Sequence, residues 1–63
     1  MKPIPEVIKP VFSLLLNRTR GNVRWFMEDV VMGDGEYRWT EAAIMFTNDE
    51  KQVCGEIARF NHN

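Results

Sequence analysis

Residues 23–39 read VRWFMEDVVMGDGEYRW, and the period chosen for them decides the fold. At helical spacing, Val23, Phe26, Met27, Val30 and Val31 fall at i, i+3, i+4, i+7 and i+8, with Asn22 in position to cap. Taken in twos, Val23, Trp25, Met27 and Val31 form a row that only Asp29 interrupts. The flank favours the second pattern. Met32-Gly33-Asp34-Gly35-Glu36 has the composition of a hairpin turn between β-favouring residues, and Tyr37 and Trp39 alternate around Arg38 beyond it. The reading is two strands, at 23–32 and 36–46.

Downstream, Thr47-Asn48-Asp49-Glu50 punctuates the chain before a last apolar segment that again supports two patterns. As a helix, Thr47 and Glu50 would form a capping box, with Val53, Ile57 and Phe60 on one face. As a strand at 52–60, the segment pairs back on its predecessor, and Gly55 suits a bulge better than a helix centre, where glycine costs about 1 kcal/mol relative to alanine. The hairpin is preferred. Upstream, Pro3, Pro5 and Pro10 predict an extended or loosely turned lead-in over 1–10. Val11–Asn17 is a buried strand or two turns of helix, and its length favours the strand. A polar turn follows, ending near Asn22.

The expected architecture is therefore all-β: one domain over 1–63, with four short antiparallel strands near 11–17, 23–32, 36–46 and 52–60. A compact helical or α+β domain is the alternative. A chain of 63 residues buries only about 60% of its unfolded surface, so the core is thin. The apolar sheet face, drawing on Leu14, Leu16, Trp25, Met27, Trp39, Met45, Val53 and Ile57, has no clear helix to cover it. A face-to-face homodimer is the expected solution.

Few residues invite chemistry. One cysteine permits no internal disulfide, and Cys54 with His62 cannot fill a four-ligand zinc site, so neither metal nor cofactor is expected. Cys54 lies between Val53 and Gly55 and reads as a core or interface residue. His62, in the terminal Asn61-His62-Asn63, reads as part of a frayed polar tail, and the carboxylates show no catalytic spacing. No catalytic residue is assigned, and the chain is read as non-enzymatic. Without an apolar run of about 20 residues or a signal-peptide pattern, a cytoplasmic location is expected and a membrane is not.

The formal net charge of −1 hides a gradient. Residues 1–24 sum to +4 and residues 25–56 to −6, a division suited to contact with another macromolecule. Aromatics are concentrated in the same short chain, and tryptophan, tyrosine and arginine are favoured at interface cores. The sequence thus points to a protein-binding module, a regulator or inhibitor that masks a surface on a larger protein. Its predicted partner-binding residues are Trp25, Tyr37, Trp39, Arg18, Arg20 and Arg24. One alternative is nucleic-acid binding, with Arg18, Arg20 and Arg24 on phosphates and an exposed aromatic stacking a base. A structural or assembly subunit is another.

Overall fold

The computed structural model describes residues 4–62. It shows one helix, α1 (Lys9–Arg18), followed by three strands, β1 (Val23–Val31), β2 (Tyr37–Thr47) and β3 (Val53–Asn61). The strands form one antiparallel sheet in the order β1-β2-β3. The period of two prevails in both contested segments, but the expected first strand is a helix. Of the lead-in expected over 1–10, residues 1–3 lie outside the described residues; the chain turns over residues 6–8, and α1 begins at Lys9, before Pro10.

Pro10 does not break this helix because it lies in the first turn, where a backbone N–H would have no intrahelical acceptor. Once the helix begins at Lys9, Ile8, Val11, Phe12 and Leu15 fall at i, i+3, i+4 and i+7 and pack against the sheet. Leu14 and Leu16 point away and are exposed. The helix ends in a Schellman motif. Gly21 N–H donates to the Leu16 carbonyl at 2.8 Å and Arg20 N–H to the Asn17 carbonyl at 3.3 Å, with Arg20 in the left-handed region at φ 55°.

The helix lies over the sheet face that carries Val23, Trp25 and Met27 of β1, Ala42 and Ile44 of β2, and Ala58 and Phe60 of β3. Ile8 and Ile44 are almost wholly buried there, and full burial of such a side chain contributes about 1.5–3 kcal/mol. The cover expected from a second copy is thus supplied within the chain. Nor do the eight residues expected on one apolar face share one. Leu14 and Leu16 are helical, Met45 pairs with Arg24 on the opposite face, and Val53 and Ile57 are exposed on the irregular β3.

Both hairpins use the same three-residue loop. In the first, Gly35 N–H donates to the Met32 carbonyl and Met32 N–H to the Glu36 carbonyl, each at 2.8 Å, with Gly35 at φ 84°. In the second, Lys51 N–H donates to the Asn48 carbonyl at 2.9 Å and Asn48 N–H to the Gln52 carbonyl at 3.0 Å. Lys51 occupies the position of Gly35, at φ 67°. The Asn48 side chain stabilises this turn by accepting from the N–H groups of Glu50 and Gln52. Asn22 joins it to the start of β1: Lys51 Nζ donates to Asn22 Oδ1 at 2.9 Å, and Thr47 N–H donates to the Asn22 carbonyl at 3.0 Å.

Candidate functional site

Two surfaces remain after α1 has covered its side of the sheet. The first is the opposite, open face. Paired residues on adjacent strands share a face, so the register places Arg24, Phe26 and Glu28 of β1 beside Met45, Ala43 and Glu41 of β2, with Glu56 and Arg59 of β3 beyond. Phe26 is 47% exposed there. A shallow depression of about 210 Å³ lies among Phe26, Glu28, Glu41, Ala43, Met45 and Arg59. Arg59 bridges Glu41 and Glu56, whereas Glu28, directly opposite Glu41, makes no ion pair among the described residues. The depression presents carboxylates and an aromatic to solvent. It is smaller and more open than the sites that enclose small molecules.

The second surface is the end of the β1–β2 hairpin. Pairing of β2 with β3 ends at Glu41–Asn61, and beyond it His62 N–H donates to the Thr40 carbonyl at 2.8 Å. Residues 30–38 therefore form a two-stranded arm beyond the third strand, in a molecule 41 Å long and about 20 Å across. Apolar groups occupy both faces of the arm: Val31 is 61% and Tyr37 69% exposed, and Val30 and Met32 are also open. Its tip is acidic, with Asp34 fixing the turn by accepting from Glu36 N–H and from Arg38.

The residues expected to bind a partner do not form one patch. Trp25 and Trp39 are half-buried on the helix side, Arg24 lies on the open side, and Tyr37 is on the arm. Arg18 and Arg20 are exposed at the end of α1. Arg24 and Trp25 consequently face opposite ways, as adjacent strand residues must. The sequence reading left Phe26 out of its partner-binding set and missed Val30, Val31 and Met32. The signal for the last three was present in Val30-Val31-Met32, an apolar run that ignores strand alternation before a polar turn.

Two further expectations are corrected. His62 is not frayed: its ring stacks on Trp39 with centroids 4.5 Å apart, and Nδ1 is 3.0 Å from the Trp39 carbonyl. A carbonyl only accepts, so Nδ1 carries the proton in this contact. The stacking aromatic was supplied by Trp39, which sequence proximity did not indicate. Cys54 is not a core residue. It is an exposed free thiol at an extra residue in β3, because Phe46 pairs with Gly55 while Thr47 pairs with Val53. Gly55 is needed at this bulge, since the Phe46 ring lies across it and a Cβ there would be 2.7 Å from Phe46 Cε1.

Among the described residues, no group of three or more His, Cys, Asp or Glu side chains could hold a metal ion, and no helix is long and apolar enough to cross a membrane. Compared with protein families, curated proteins and solved structures, the chain matches none.

Proposed function

We propose that this protein is a non-enzymatic protein-binding module that works through the arm at residues 30–38. The observation that carries this reading is the exposure of Val30, Val31, Met32 and Tyr37 on an arm that neither α1 nor β3 covers. Each apolar group left in water forgoes burial of about 25 cal/mol per Å², and Val31 and Tyr37, paired across the arm, leave one of its faces apolar and open for contact. Around it, Glu28, Asp34 and Glu36 oppose Arg38, a local net charge of −2. The partner this suits is a protein with an apolar cleft rimmed by lysine or arginine, whose positive field would steer the encounter. Occupying such a cleft would mask it, the action of a small regulator or inhibitor.

Nucleic-acid binding through Arg18, Arg20 and Arg24 is the second reading. It is weaker because Arg24 and Trp25 lie on opposite faces and the acidic arm would repel phosphates.

The test is crosslinking and pull-down from native extract, followed by binding of the purified partner to wild type, Val31→Asp and Tyr37→Ser. Loss of binding by about tenfold or more in variants with unchanged circular dichroism supports the arm, on the hot-spot magnitude of buried aromatic anchors. No partner for the wild type at low or moderate salt, or binding indifferent to both substitutions, refutes it. Filter binding that disappears when the three arginines are neutralised would instead support the second reading.

A further inference from the structure

The edges of the sheet differ in a way that the protein-binding reading does not use. β3 is interrupted twice: Ile57 is an extra residue between Glu56 and Ala58, and Cys54 is another between Val53 and Gly55. Such bulges disrupt the ladder and discourage pairing with another strand. β1 runs through nine residues without proline, lysine or an extra residue, because the irregularity in its pairing with β2 is accommodated by Thr40. One edge is blunted and the other is regular.

The direction of the β1 backbone follows from its hydrogen bonds. The Asn22 carbonyl accepts from Thr47 N–H and the Glu28 carbonyl from Thr40 Oγ1, so the even-numbered residues of β1 direct their backbone groups toward β2. The backbone groups of Val23, Trp25 and Met27 therefore face the outer edge. On the open face, Arg24 and Glu28 flank Phe26 at equal distances along the strand, and neither makes an ion pair among the described residues. Glu28 is moreover directly across from Glu41, a like-charge pair that destabilises an isolated sheet.

We propose that a second copy of the chain pairs with the outer edge of β1, antiparallel and centred on Phe26, to give a continuous six-stranded sheet. In this register Arg24 lies opposite the partner's Glu28 and Glu28 opposite the partner's Arg24. The two Phe26 rings meet on the twofold axis. Trp25 and Met27 exchange backbone hydrogen bonds with the partner's Met27 and Trp25, while Arg24, Phe26 and Glu28 occupy the closer, non-hydrogen-bonded positions. The added guanidinium sits beside Glu28, which has no ion pair among the described residues, whereas Glu41 is already held by Arg59. A shift of one residue either way would move Arg24 and Glu28 out of opposition and exchange the faces of the added strand. The two arms remain at the outer ends of the assembly, free for another protein.

The test reads association and register separately. Sedimentation equilibrium of the full chain from about 5 to 200 micromolar detects the dimer by mass action. Arg24→Glu and Glu28→Arg should each weaken it by at least about tenfold, while the double reversal should restore it to within about threefold of wild type, because cross-strand charge pairs couple. In a Cys54→Ser background, Phe26→Cys should give a disulfide-linked dimer on oxidation, since a non-hydrogen-bonded pair brings Cα atoms to about 4.5 Å. A folded wild type that stays monomeric across the range overturns the proposal. So does a dimer that the double reversal fails to restore or that Phe26→Cys fails to link. Val31→Asp should leave the dimer intact, so failure here and failure of the arm are distinguishable.

Discussion

Ile8→Ala should destabilise the protein far more than Val7→Ala, although the two residues are neighbours in an apolar pair that looks uniform in the sequence. Ile8 is 1% exposed and belongs to the core cluster with Val23, Ala42 and Ile44, whereas Val7 is 70% exposed. Replacing the isoleucine removes three buried carbons, which at about 0.8 kcal/mol each is about 2.4 kcal/mol, and the unfilled space raises the cost toward about 3–4 kcal/mol. Val7→Ala removes two carbons already in water and should change stability by less than about 0.5 kcal/mol. The difference has a structural consequence, because a ten-residue helix is marginal in water and persists here through its packed face. Loosening Ile8 should therefore release α1 and wet Trp25 and Trp39. Urea unfolding followed by tryptophan fluorescence and by circular dichroism at 222 nm measures both effects. Equal shifts in midpoint for the two variants would refute the docking of α1 on this face of the sheet.

Thr47→Val should stabilise the protein by about 1 kcal/mol, because Thr47 Oγ1 is buried without a hydrogen-bond partner among the described residues and valine keeps its shape; thermal melting checks it, and a lower midpoint would contradict the account. Lys51→Gly should stabilise by about 0.5 kcal/mol, the relief of a left-handed residue at about 1 kcal/mol being partly offset by loss of the exposed bond to Asn22. Gly55→Ala should cost about 1–2 kcal/mol by displacing the Phe46 ring, and a double-mutant cycle with Phe46→Leu should recover most of that loss. Cys54 should react with a thiol reagent in the folded protein at a rate close to that of the urea-unfolded chain, since it is exposed.

The hairpins were legible because their determinants are local. Gly35 in a turn-forming five-residue stretch requires only that the flanking residues favour extended backbone, and alternation from Val23 to Met27 then assigns sides without reference to the rest of the chain. The same locality identified the bulge at Gly55. Alternation did not reveal which side would be covered, because Trp25 and Phe26 are both large and apolar and either could have faced inward. That choice was made by α1, whose own stripe of Ile8, Val11, Phe12 and Leu15 spans Pro10 and was hidden while the proline was treated as an interruption. Proline is disruptive inside a helix and harmless in its first turn, so its meaning depended on where the helix began. With α1 on the Trp25 side, Phe26, Arg24 and Glu28 became surface and the tryptophans became packing. His62 acquired its place only when the end of β3 came alongside Trp39. Local backbone preference therefore determined the strands and turns, while burial against a distant segment decided which face was core and which was left for contact.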